Sequence, residues 1–227
     1  EVEMRHPLLV VDFAAEEGTT GPSPLGSLSM AGLLAEPMLE QPAWNGASTR
    51  NLVEAAALSP SAIIANRPPC DFAAYLELHI EQGDRLDAEG IEIGVVTGIV
   101  GIRRYFVTFT GQANHAGTTS MARRRDALVA AASFITTVRD VTVAHGIVGT
   151  IGWLSVYPGA SNVIPGRVEL DLETRAMDGA VLDQVEGELA RLATAGGASF
   201  VSGLPLAPCP ADPKIMVTIT EAGKALG

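Results

Sequence analysis

The run IGVVTGIVGIRRYFVTFTG, Ile93 to Gly111, decides how the chain is divided. Its composition is β-prone, yet glycines at 94, 98 and 101 interrupt it, and glycine inside a strand pattern marks a bend or a close backbone approach. The stretch is expected to carry the chain out of one domain and into another. From here the expected order is strand, long helix over about Met121 to His145, strand Ile147 to Tyr157, strand Arg167 to Arg175, helix over about Gly179 to Thr194 and a short strand near Ser199 to Gly203. This β-α-β-β-α-β order is the split βαβ, or ferredoxin-like, arrangement. The long helix is rich in alanine, and apolar residues at 128, 131, 132 and 135 predict the stripe that lies on the sheet. LPLAPCPADP, Leu204 to Pro213, is a proline-rich exit linker, and KIMVTITEAGKALG after it predicts a terminal helix.

Upstream, PLLVVDFAAEEG is a continuous apolar run ending in acid and glycine. That pattern predicts a buried parallel strand delivering residues to its C-terminal edge, where ligand sites of open α/β sheets gather. GTTGPSPLGS is loop by composition, a helical pattern covers Ser48 to Leu58, and RPPC at 67–70 breaks the chain. In the strand expected from Phe72 to Ile80, residues Leu76, Leu78 and Ile80 share one face, while Tyr75, Glu77 and His79, followed by Glu81, share the other. The fold class is therefore α/β.

With 227 residues, 47% of them hydrophobic, the chain is long enough to bury a sizeable core. Its 26 acidic and 15 basic residues give a net charge of −11, which repels phosphate backbones and argues against nucleic acid as a partner. Glycine, proline or charge breaks every apolar run short of the ~20 residues that cross a bilayer, so no membrane span is expected. Cys70 and Cys209 sit beside prolines with no CxxC spacing, which fits a reducing, cytoplasmic setting. Arg123, Arg124 and Arg125 form the one basic cluster; its plain reading is a solvated helix start, its sharper one a phosphate site.

A few polar residues stand out against this background. Glu16 and Glu17 end the first expected strand; an acidic pair in a loop is more often simply solvated, but one carboxylate can hold a divalent metal while its neighbour takes a proton from water. His79 on the polar face of a strand is either a hydrogen-bonded structural residue or a ligand for a zinc-like metal. Glu17 and His79 are the only metal ligands this reading yields, where a closed site needs three or four. His115 lies in GQANHAGTTSM, Asn162 in GASNVIPG and Arg175 in DLETRAMD. Each alone is an ordinary turn former or surface charge, but an imidazole donor, an amide and a guanidinium together suit a carboxylate and a developing oxyanion.

The segments VVDFAAEEG, ELHIEQG, VTGIVGIRR, GQANHAGTTSMARRRDAL and SNVIPGRVELDLETR, in this order, resemble the N-carbamoyl-L-amino-acid hydrolases with their relatives allantoate amidohydrolase and β-ureidopropionase, members of the aminoacylase-like dinuclear metallohydrolases. The resemblance covers nearly the whole chain. It implies a zinc-exopeptidase-like catalytic domain, represented by 1–98 and again from 209 to 227, with an inserted ferredoxin-like lid and dimerisation domain at 99–208. It implies that Glu16 is the general base, that Glu17 and His79 are ligands of two divalent metal ions (zinc, manganese, cobalt or nickel), and that Gln82 contacts substrate. His115, Asn162 and Arg175 become the lid's contribution to substrate binding, shared between the subunits of a homodimer. The implied activity is cleavage of the ureido C–N bond of a small carbamoylated amino acid or related acid such as allantoate, in the cytoplasm, with no role for nucleic acid or membrane.

Three departures from that pattern matter. The family's earlier histidine and bridging aspartate, and its late histidine, have no counterpart here; His6 does not match. With the missing initiator Met, this leads to the expectation of an internal fragment. EEGTTGPSPLGS stands where the family has EEG, a variable residue and Arg-Phe, which alters the substrate pocket. LETR replaces the more usual Leu-Asp-Ile-Arg around Arg175. Two alternatives stay open: a deacylase or dipeptidase of the same superfamily, and a non-catalytic dimerisation and ligand-binding module.

Overall fold

The chain divides into two units, Glu1–Ile80 and Glu81–Gly227, and a computed structural model describes residues 6–68 and 71–226. Cys70 and the end of RPPC lie outside the described residues. Among its described residues the first unit holds three short α-helices, α1 (Leu25–Met30), α2 (Thr49–Ala55) and α3 (Pro60–Ala65), and a 3₁₀ turn at Glu36–Glu40. Ser48 and Ser59 start the latter two, their hydroxyls accepting from Asn51 N at 3.2 Å and Ala62 N at 3.3 Å, because a short side-chain oxygen satisfies a first-turn N–H that the helix cannot. Leu34, Leu39, Ala43 and Val53 form its small core.

The two strands expected in this unit are not formed. Residues 7–13 and 74–80 run without helix or ladder, and Leu78 is 96% and Ile80 76% exposed. Alternation suits a chain to the pleat, but a strand is held by hydrogen bonds to a neighbour. Among the described residues neither segment has one.

The second unit is where the sequence pattern closes. It opens with α4 (Arg85–Glu89), followed by β1 (Gly98–Ile99), β2 (Gly101–Thr110), α5 (Ala127–Ala144), β3 (Val148–Tyr157), β4 (Arg167–Ala176), α6 (Gly179–Ala195), β5 (Ala198–Ser202), β6 (Cys209–Pro210) and α7 (Pro213–Leu226). Four strands make an antiparallel sheet in the order β3-β4-β2-β5, while β1 pairs with β6. This is the expected ferredoxin-like arrangement. Every second residue of the central strands is buried: Tyr105, Val107 and Phe109 on β2, and Val168, Leu170, Leu172 and Thr174 on β4. Onto that face α5 lays Ala131, Phe134 and Val138, and α6 lays Val185 and Leu189. Phe109 meets Phe134 with ring centroids 5.6 Å apart. Thr174, one of the departures noted above, is fully buried, and its hydroxyl lies 3.2 Å from that of Tyr105. Burial pushes the Tyr105 phenol up to about 12.

Aspartates start all three long helices. Asp126 accepts from Leu128 N and Val129 N, Asp178 from Ala180 N and Val181 N, and Asp212 from Lys214 N and Ile215 N. The first of these corrects the expected helix. Met121–Arg123 is a separate 3₁₀ turn, and α5 begins only at Ala127. The cap sets the phase, so the buried stripe is Ala127, Ala131, Phe134, Val138 and Val141, whereas Leu128 and Ala132 are exposed. A second correction concerns membranes: at 18 residues α5 is, by length and composition, apolar enough to cross one. Its stripe is instead part of the core against the sheet.

Candidate functional site

In the first unit, Glu16 sits on a turn whose backbone Ala15 enters with φ +57°. The turn caps α1. Leu25 N donates to Ala15 O and Gly26 N to Ala14 O, each at 3.1 Å, and Ser27 donates from N to Glu16 Oε1 at 2.9 Å and from Oγ to Oε2 at 2.8 Å. Three first-turn donors are thus satisfied from outside the helix, which Pro24 at the N-cap cannot do by side chain. Gly26 permits the approach: a Cβ there would stand 2.7 Å from Ala14 O. Each Glu16 oxygen keeps a second lone pair beyond these bonds. Glu16 is half-buried and Glu17 exposed, so the two neighbouring carboxylates face different surroundings.

His79 is exposed, with Nδ1 2.5 Å from Ile80 O. A carbonyl oxygen only accepts, so this contact assigns the proton to Nδ1 and leaves the lone pair on Nε2, the state in which neutral imidazole ligates a metal. Four residues earlier, the Tyr75 hydroxyl donates to Glu77 Oε2 at 2.8 Å. Partial desolvation and that carboxylate push the phenol up to about 12, and the Glu16 charge adds to the rise.

The donor set does not fit a metal ion by itself. Among the described residues no three His, Cys, Asp or Glu side chains converge, and Glu17 with His79 supplies two donors where a closed site takes four and a catalytic one three.

In the second unit His115 and Asn162 are brought together. Ala116 N donates to Asn162 O and Ile164 N to Asn114 O, each at 2.9 Å, and His115 bridges to Val163. Within its loop His115 Nδ1 accepts from Gly117 N at 3.0 Å. The neutral ring then carries its proton on Nε2 and presents a donor, the opposite tautomer to His79.

Arg175 is elsewhere. His115 follows the end of β2 at Thr110 and Asn162 precedes Arg167, which pairs with Thr110; Arg175 pairs with Ile102 at the other end of the sheet. Along β4 the interval from Arg167 to Arg175 is roughly 26 Å at about 3.3 Å per residue. One chain therefore does not join Arg175 to the other two. Its Nε donates to Glu173 Oε1 at 2.6 Å, and Arg104 Nε, from the cross-strand partner, to Oε2 at 2.8 Å. Partial burial alone would raise the Glu173 carboxyl, but the two guanidinium groups hold it below the usual range. With Nε so engaged, the terminal nitrogens of Arg175 form the outward fork that suits a carboxylate. Gln82 is exposed, in a left-handed backbone conformation at φ +54°. Sequence reasoning missed the capping role of Glu16, signalled by a helix start with no polar cap of its own, and the Glu173 bridge, signalled by the i, i+2 spacing that puts it on the Arg175 face.

Residues 97–200 match the family model of the peptidase dimerisation domain. An N-carbamoyl-L-amino acid amidohydrolase from Geobacillus stearothermophilus is 43% identical over 187 residues, 81% of this chain and 46% of the relative. An allantoate amidohydrolase from Bacillus subtilis is 34% identical over 189 residues, 82% of this chain and 46% of the relative. A crystallised amidase of the hydantoinase/carbamoylase family from Burkholderia phymatum superposes with a TM-score of 0.75 at 34% identity, over 93% of this chain and 55% of that one. The chain spans about half the length of the curated relatives it matches. Strand order, motif positions and these matches converge: the chain belongs to the family of N-carbamoyl-amino-acid and allantoate amidohydrolases and carries that family's dimerisation domain.

Proposed function

We propose that the protein to which this chain belongs is a metal-dependent amidohydrolase that cleaves the ureido C–N bond of N-carbamoyl amino acids or related acids such as allantoate. The observation that carries this reading is the loop pair that holds His115 against Asn162 with the imidazole donor outward. Glu16 takes a proton from the attacking water through a lone pair not used by Ser27 and returns it to the leaving nitrogen. The oxygen that becomes anionic is met by the Nε2–H of His115 and the amide of Asn162. The fork of Arg175 binds the substrate carboxylate and Gln82 contacts the substrate beside it. Carbamate breakdown then gives carbon dioxide and ammonia.

In this reading 99–208 is a lid through which a cytoplasmic homodimer forms, and 1–98 with 209–227 belongs to the catalytic domain. The separation along β4 supports sharing between subunits: His115 and Asn162 of one chain act with Arg175 of its partner. Glu17 and His79 are donors towards two divalent ions, zinc, manganese, cobalt or nickel, whose remaining ligands this donor set does not provide. No step is assigned to those ions.

The test is ammonia release from N-carbamoyl amino acids by the full-length enzyme supplied with manganese or zinc. Glu16→Gln is expected to lower kcat by about 10²- to 10⁴-fold with metal content unchanged; undiminished turnover would reject the base. A second reading, a dimerisation and ligand-binding module, predicts ureido-acid binding with no turnover even at full length; among the described residues no three metal donors converge.

A further inference from the structure

Of the three consecutive arginines, Arg123 and Arg125 are exposed and Arg124 is half-buried. Its guanidinium reaches back across the loop that carries His115, donating from Nη2 to Ala116 O at 2.5 Å and from Nε to Thr119 O at 3.2 Å. The loop is closed on itself by Thr119, whose N and Oγ1 donate to His115 O at 3.2 and 2.9 Å, and by Gly117 N on His115 Nδ1. Arg124 is held on its own side too: Gln112 N donates to Arg125 O at 2.7 Å, and Asp126 caps α5 two residues on. Gly111 makes this approach possible, since a Cβ there would stand 2.2 Å from Arg125 O. Among the described residues Arg124 forms no ion pair, so both of its hydrogen bonds go to the loop's carbonyls.

We propose that Arg124 is a positioning residue that fixes the His115 imidazole by clamping the carbonyls on either side of the turn beside it. This rests on the reading of His115 as the donor to the reacting oxygen. A guanidinium forks across two carbonyls three residues apart, whereas an ammonium is a point donor and serves one of them well. With one carbonyl released, the 115–119 turn loosens, the Gly117 N–H to Nδ1 bond is lost part of the time, and Nε2–H no longer points one way. Misplacement of a reacting group by about 1 Å can cost on the order of 10²-fold in rate.

In the full-length, metal-loaded enzyme, Arg124→Lys is expected to lower kcat by about 10- to 100-fold, with KM much less changed. The deciding measurement is a cycle with His115→Ala: once the imidazole is gone, Arg124→Lys should cost almost nothing more, and losses that multiply would overturn the proposal. A readout independent of turnover separates this from failure of the enzyme reading. Histidine-selective ¹⁵N NMR of wild type should show His115 as the Nε2–H tautomer with a hydrogen-bonded Nδ1, and Arg124→Lys should move both nitrogens toward the averaged values of a freely exchanging ring. An unchanged His115 spectrum would overturn the proposal whether or not the protein turns substrate over. If Arg124→Lys does not fold, Arg124→Gln, which keeps an amide donor, takes its place in both measurements.

Discussion

Both units contain extended apolar sequence, but among the described residues only the second builds it into a sheet. On β2, Tyr105, Val107 and Phe109 are wholly buried between strand neighbours and two helices. Leu76, Leu78 and Ile80 repeat the same alternation and are exposed. The difference teaches that a period of two specifies a strand's faces, while burial and stability come from what pairs with it.

Leu170→Ala, at the centre of β4, should cost about 2–5 kcal/mol and be read as a lower urea midpoint of the second unit. Leu78→Ala in the same chain should change stability by less than about 0.5 kcal/mol, and equal costs would break the contrast. Asp126→Ala removes the α5 cap and should cost about 1 kcal/mol, with Asp126→Asn restoring most of it; an effect confined to the first unit would be wrong. A small effect, confined to the acid side, is expected at Glu173. Its carboxyl titrates lower in the folded than in the unfolded protein, so its contribution is present above the unfolded value of about 4.3 and is lost as pH falls through the folded one. Glu173→Gln should therefore flatten part of the acid limb of stability against pH, by on the order of 1 kcal/mol or less, and leave neutral and alkaline behaviour alone apart from that constant loss.

The ferredoxin-like order was legible because its strands and helices follow one another with their own apolar patterns, and the structure keeps that order. The phase of α5 was not, because Met-Ala-Arg-Arg-Arg at 121–125 are all ordinary helix formers and only the bonds from Leu128 N and Val129 N to Asp126 show where the helix starts. The strand expected in PLLVVDFAAEEG failed because parallel-strand composition describes the neighbours a segment wants, and none is among the described residues. At the candidate site the residue types were readable, but their states were not. His79 and His115 look alike as letters, and a single partner, a carbonyl for one and an N–H for the other, gives them opposite tautomers. Likewise the three arginines 123–125 are equivalent in sequence, and the fold turns only the middle one onto the loop.

The interval along β4 acts as a ruler. Because side chains alternate, removing two residues from it would return every remaining group to its proper face and shorten the span by about 7 Å. Each such step also removes one buried residue of Val168, Leu170, Leu172 or Thr174 and shifts the register with β2 and β3, so the distance between the imidazole end and the guanidinium end is fixed by the same layer that makes the core.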